Sequence, residues 1–252
     1  MIVLFSGPSG GGKNTLIDHL IHCHPEKYAF LPTLTTRERR PKETNGHPYY
    51  FVSEAEFQKR LDEGEFYEHQ QVHGKSYGTS RVILNMKLAI GKILLKDIDV
   101  YGTMNLVKVL EHEHRLLTFF LRVSDRKILI ERLMARGEQE IDFRLERFDL
   151  ENSFAKKYNY IIENLVLEKT ISIINAIIDF EQAKKSPLPT RNVSEIQDEL
   201  VMKYAKMMLE GHDFDPIEVA IRDGNVRIID GHHRFLASLN AGRPIARLVV
   251  EP

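Results

Sequence analysis

The chain has 252 residues, of which 42% are hydrophobic and 28% charged, with a formal net charge of −1. That balance describes an ordinary globular chain, and nothing in its bulk charge points to nucleic acid or an anionic membrane surface. A single cysteine, Cys23, excludes an internal disulfide framework, and no apolar run approaches a membrane span.

The N-terminus has neither the basic flank nor the cleavable apolar core of a secretory signal, and a cytoplasmic protein is expected. Residues 1–6 read as a buried strand that runs into Gly7-Pro8-Ser9-Gly10-Gly11-Gly12-Lys13-Asn14-Thr15. An amphipathic run with Leu16, Ile17, Leu20 and Ile21 follows and predicts a helix over 15–24. Strand, glycine loop, lysine and helix in this order predict a phosphate-binding P-loop. The glycines turn backbone N–H groups inward, the helix adds its positive dipole end, and Lys13 adds a full charge. Gly7, Ser9, Gly10, Gly11, Gly12, Lys13, Asn14 and Thr15 are therefore the expected nucleotide-phosphate contacts. Asn14 stands where the common motif has a hydroxyl for magnesium, so that role is expected of Thr15.

Thr33–Phe51 is polar, with Pro41 and Asn45-Gly46, and predicts a loop with short antiparallel strand. Ser53-Glu54-Ala55-Glu56 predicts a capped helix to Leu61. Further strands are expected over 91–99, 116–123 and 160–162. Helices are expected from Ser124-Asp125 to Arg136-Gly137 and over 166–180. Strands alternating with helices predict an α/β fold with a parallel sheet and a site at the strand C-termini. Lys184–Thr190, polar and Pro-containing, is the expected boundary. Beyond it lie a helix (about 194–210), strands at 217–221 and 226–229 around Asp223-Gly224-Asn225, and a helix opened by Asp230-Gly231-His232-His233-Arg234. His19, His22 and His24 lack the spacing of a metal site and read as helix-surface and helix-end residues, as do His112 and His114.

The segment Thr35-Thr36-Arg37, Arg40, Glu43, Gly46, Tyr49 and Phe51 resembles the acceptor-binding segment of guanylate kinases. Gly64-Glu65-Phe66-Tyr67-Glu68, Tyr77-Gly78-Thr79-Ser80, and Asp97-Ile98-Asp99 with Gly102 extend the likeness, and Arg132, Arg136-Gly137 and Arg144 resemble the family's lid. The resemblance covers residues 1–180 and implies a P-loop kinase with a monophosphate-binding subdomain and a lid. ATP is then the phosphate donor, Mg²⁺ the metal and GMP or dGMP the acceptor.

The side chains support that chemistry independently. Arg37 and Arg40 suit a planar clamp on a monophosphate, and Tyr49 and Tyr77 donate to it without adding charge. Glu68 suits the N1–H and amino group of guanine, with Asp99 beside it. Thr33 and Thr79 suit O6 or the amino group. Phosphoryl transfer needs alignment and charge neutralisation, expected of Lys13, Arg132, Arg136 and Arg144. The spacing from Arg136 to Arg144 is about two residues shorter than the family pattern suggests.

Pro216-Ile217-Glu218-Val219 and Ile228-Ile229-Asp230-Gly231-His232-His233-Arg234, with Ala241-Gly242, resemble a ParB/sulfiredoxin-like α+β domain. The expected division is 1–183, a linker at 184–190, and 191–252. In that superfamily the G-x-x-R turn binds nucleotide phosphate, which implies such a role for Gly231, His232, His233 and Arg234. The sulfiredoxin cysteine is replaced by His232. From Thr190 onward 10 acidic residues face 8 basic ones, a poor surface for DNA. Related D-G-H-H-R turns resemble free-serine kinases, where Glu218 or Glu195 would assist. The remaining alternatives are another acceptor, such as a modified nucleotide or ribose bisphosphate, and a non-catalytic module. Expected partners are small nucleotides; membrane is excluded and nucleic acid disfavoured, and the oligomeric state is left open.

Overall fold

The computed structural model describes residues 1–40, 43–72, 74–135, 137, 141–183, 187–189 and 196–250. The chain forms two compact units, 1–6 with 13–118 and 7–12 with 119–252.

In the first unit, β1 (Ile2–Ser6) is followed by α1 (Lys13–Cys23), β2 (Tyr28–Phe30), β3 (Thr33–Thr35), β4 (Thr44–Asn45) and β5 (Pro48–Phe51). Then come α2 (Glu54–Asp62), β6 (Phe66–Val72), β7 (Lys75–Ser80), α3 (Arg81–Leu88), β8 (Ile93–Asp97) and α4 (Val100–Leu110). Every residue of β1 is buried, as befits a strand covered on both faces, and β1, β8 and β2 pair in parallel. Ile2, Leu4, Leu31, Leu84, Leu94, Leu106 and Leu110 form the core behind them. Each such side chain contributes about 1.5–3 kcal/mol by leaving water.

A second sheet in this unit has the order β4-β5-β3-β7-β6. Phe57 of α2 stacks on Phe66 of β6 at 4.6 Å between ring centroids, and with Leu34 they form its core. Ser53 caps α2 by accepting from the Glu56 amide at 3.1 Å, as its sequence predicts. The polar Thr33–Phe51 stretch departs from expectation. β5 runs parallel to β3, not antiparallel, because residues 36–47 are long enough to return the chain to the same direction.

β9 (Leu116–Arg122) enters the second unit at Phe119, and α5 (Arg126–Ala135), α6 (Ile141–Ser153), β10 (Tyr160–Glu163) and α7 (Leu167–Gln182) follow. It ends with β11 (Leu188–Pro189), α8 (Asp198–Leu209), β12 (Ile217–Arg222), β13 (Asn225–Asp230), α9 (His232–Ala241) and β14 (Arg247–Val249). The strand order is β11-β13-β12-β14-β10-β9. Asp223 and Gly224, both at positive φ, make the tight turn between the antiparallel β12 and β13. β14, absent from the sequence expectations, pairs in parallel with β10 on one side and β12 on the other. The C-terminal strands thus extend the sheet of β10, and Arg247 fastens them by donating to Tyr160 and Glu181. Among the described residues no helix is long and apolar enough to cross a membrane.

Candidate active site

The loop after β1 is shaped by close backbone approach. Gly7 sits at φ +138°, and a Cβ there would lie 2.2 Å from the Leu121 carbonyl oxygen, so no other residue fits. The Gly11 amide donates to the Pro8 carbonyl at 2.9 Å, closing the turn. Asn164, which the sequence reading missed, is buried and donates Nδ2 to the Gly11 carbonyl at 2.7 Å. Its amide therefore holds the glycine loop from β10's end. Arg132 donates to the carbonyls of Asn164 and Leu165 at 3.0 and 3.3 Å, beside the same anchor. Arg136 lies outside the described residues, as does the side chain of Arg144 on α6.

Lys13 opens α1, two residues earlier than predicted, with its ammonium 3.9 Å from Asp97 at the end of β8. Asn14 and Thr15 are exposed on the same first turn.

The acceptor residues of the first unit come together on the five-stranded sheet and the end of β8. Arg37 donates to Glu43 at 2.7 Å, and its guanidinium lies 5.2 Å from the Tyr49 ring centroid and 5.5 Å from that of Phe51. Tyr49 and Tyr77 meet edge to face at 5.9 Å. Burial opposes ionisation of Glu43, but the Arg37 guanidinium and the Arg40 amide outweigh it and hold the carboxyl below its usual value. Burial pushes the Tyr49 phenol up, so it stays a neutral hydrogen-bond donor. Arg40 is exposed, with its backbone amide on Glu43 at 2.9 Å.

Glu68 is buried on β6 and accepts from the Thr79 hydroxyl at 2.5 Å. Burial raises its pKa, while the facing Lys96 ammonium and the Thr79 hydrogen bond work against that rise. Lys96 is fully buried and donates to Thr33 at 2.5 Å. Burial pulls its pKa down to about 8, although Glu68, Asp97 and Asp99 all favour the ammonium form. Asp99 does more local work than expected. Its Oδ1 caps α4 by accepting from the amides of Tyr101 and Gly102, and Oδ2 accepts from Gln70 at 2.9 Å. Lys96 and Gln70 were not singled out from the sequence. The signal for Lys96 was a lysine continuing the strand directly after the apolar run Ile93-Leu94-Leu95.

In the second unit, Gly231 has φ +86° and ends β13 at the start of α9, where a Cβ would meet Ile217 at 2.7 Å. Arg234 donates to the carbonyls of Asp215 and Pro216 at 2.7 and 3.2 Å and to the Asp230 carboxylate at 3.1 Å. His233 accepts from the Gln197 amide at 3.1 Å, and His232 is buried. The four expected residues do gather at one turn, with Arg234 and His233 engaged by neighbouring chain. Glu218 lies on β12, and Glu195 lies outside the described residues.

Comparison with known proteins gives a consistent result. The guanylate kinase family model matches residues 1–181. The guanylate kinase of Chlorobium chlorochromatii is 36% identical over 180 residues, covering 70% of this chain and 93% of that protein. That of Thermotoga maritima is 35% identical over 201 residues, covering 78% and 92%. The crystal structure of guanylate kinase from Anaplasma phagocytophilum matches with a TM-score of 0.56 and 28% identity, over 72% of this chain and 85% of that one. With the glycine loop, the Arg37–Tyr49–Tyr77 cluster and the buried Glu68 in place, the chain belongs to the guanylate kinase family.

Proposed function

We propose that this ATP-dependent phosphotransferase moves the γ-phosphoryl group of ATP onto GMP or dGMP, giving ADP and the nucleoside diphosphate. The observation that carries this reading is one small sheet bearing both a buried carboxylate, Glu68, and the paired phenols Tyr49 and Tyr77, with the Arg37 guanidinium over the Tyr49 ring. The first suits the donor edge of guanine and the second a monophosphate.

The attacking phosphate oxygen is already ionised, so no general base is needed. Arg37, Arg40, Tyr49 and Tyr77 orient the acceptor phosphate. The amides of Gly7–Gly12 and the Lys13 ammonium hold the donor phosphates. Arg132, with Arg136 and Arg144, excludes water and neutralises developing charge. Mg²⁺, which the family uses with ATP, would neutralise charge on the donor phosphates, and the exposed Thr15 hydroxyl is the protein group that would help to hold it.

A coupled ADP-release assay with GMP, dGMP, AMP, UMP, CMP and free serine tests this reading. Turnover confined to the guanine nucleotides is the expected result, and none with any monophosphate in the presence of Mg²⁺ rejects it. For the C-terminal ParB/sulfiredoxin-like reading of residues 191–252, the contacts of Arg234 favour a structural turn over a phosphate site. Arg234→Ala is expected to destabilise the fold by about 1–3 kcal/mol while leaving the KM for ATP unchanged. Serine-dependent turnover that disappears in this variant, and persists in Lys13→Ala, would instead establish a second nucleotide site there.

A further inference from the structure

The acceptor pocket contains two hydrogen bonds of opposite sense, each supplied from a fully buried group. Lys96 and Thr79 are both 0% exposed, whereas Thr33 and Glu68, their partners, each retain 8%. Lys96 on β8 donates to the Thr33 hydroxyl, and the Thr79 hydroxyl donates to Glu68. The consequences differ. An ammonium has three donors and no acceptor, so Thr33 Oγ1 must accept from it, and the hydroxyl's one hydrogen remains for another acceptor. Glu68 keeps its second oxygen as an acceptor. Left alone, a threonine hydroxyl serves either role and discriminates weakly.

We propose that Lys96 is a specificity-determining positioning residue, which fixes the Thr33 hydroxyl as a donor to a carbonyl oxygen of the acceptor base while Glu68 accepts from that base's N–H groups. This rests on the acceptor-site reading above and deepens it. An oxopurine matches a donor beside an acceptor. An aminopurine such as adenine sets its amino group against the Thr33 hydroxyl, leaving both donors unpaired. Burying an ammonium is costly, and an apolar side chain would fill the same place after the apolar residues Ile93, Leu94 and Leu95. Fixing the sense of one hydroxyl is a function that such a side chain cannot perform.

Because burial pulls the Lys96 pKa to about 8, its control over Thr33 is titratable. The charged groups that face it are Glu68 from β6 and Asp97 and Asp99 from the end of its own strand. Above that pH the neutral amine gains a lone pair and can accept from Thr33, which releases the hydroxyl from its donor role.

The test compares GMP, 6-thio-GMP and IMP as acceptors at pH 7 with wild type and the shape-matched Lys96→Met. Sulfur replaces only the carbonyl oxygen and accepts hydrogen bonds poorly, while IMP lacks only the amino group. Lys96→Met is expected to raise the KM for GMP about 10-fold with kcat within about 3-fold, since the base is held alike in ground and transition states. The preference for GMP over 6-thio-GMP should shrink at least about 5-fold, and the IMP-to-GMP ratio should not move. The KM for GMP should also rise through pH 8 in wild type more steeply than in the variant. An unchanged oxygen-to-sulfur preference, or parallel pH profiles, would overturn the proposal. Should Lys96→Met not fold, Lys96→Leu, which likewise offers Thr33 no donor, carries the same comparison. If wild type turns over no guanine nucleotide, the acceptor-site reading itself fails, and this inference with it.

Discussion

Lys13→Met is expected to lower kcat about 10³-fold, in the range lost when one charge-stabilising group is removed from a transition state. The chain follows its glycine loop with a lysine on the first turn of α1, where backbone amides and the helix dipole already favour anions. On the proposed reading those partial charges hold the donor's phosphates alike in ground and transition states. A mobile ammonium can follow the charge as it shifts during transfer, so its loss falls on kcat more than on KM. The Asp97 carboxylate, 3.9 Å from the ammonium, keeps the side chain near the site. Lys13→Arg should rescue little, because the guanidinium is a broad planar fork and not a compact point charge. Single-turnover rates with saturating ATP and GMP, alongside thermal melts, check the result. A variant that folds and retains more than about a tenth of wild-type kcat would remove Lys13 from the chemical step.

The legible parts of this protein were those in which several local signals agree. The glycine loop could be read because strand, glycines, lysine and amphipathic helix stand in one order, and each has its own physical cause. The cap at Ser53 and the turn at Asp223-Gly224 were readable for the same reason, since turn and cap chemistry is local. Pairing partners were not local, and there the sequence misled. β5 could have run either way beside β3, and only the return path through residues 36–47 decides it. β14 has three residues, Arg247–Val249, too few to carry a periodic signal, yet it is the strand that joins β12 to β10. Likewise Asn164 and Lys96 are each a single polar residue next to apolar strand residues. Their roles depend on what lies across space, the Gly11 carbonyl for one and the Thr33 hydroxyl for the other. Asp99 shows the converse case. Its place in the motif was evident, but not that both its oxygens are already engaged by α4 and Gln70.

Glu68→Gln is expected to cut kcat/KM for GMP about 10³-fold, chiefly through KM, because a pocket built to accept two N–H groups would now offer a donor. The Thr79 hydroxyl decides which way the new amide turns. It donates to Oε1 in the native pocket, so the amide oxygen stays there and Nε2 takes the place of the other carboxylate oxygen. That nitrogen meets the N1–H and amino group of guanine donor to donor. Adenine suffers less, since its N1 is an acceptor, and the ratio of AMP to GMP turnover should therefore rise. The substitution also withdraws the charge that faces the buried Lys96 ammonium, which favours loss of the lysine proton. Part of any stability change therefore belongs to Lys96, and Glu68→Gln with Lys96→Met in one chain removes that contribution. The binding loss should persist in the double variant, whereas a loss arising only from an uncompensated ammonium should not. If kcat/KM for GMP stays within about 5-fold of wild type, Glu68 does not read the base. Phosphate capture by Arg37, Tyr49 and Tyr77 would then stand alone, and acceptor choice would rest on Thr33 and Lys96.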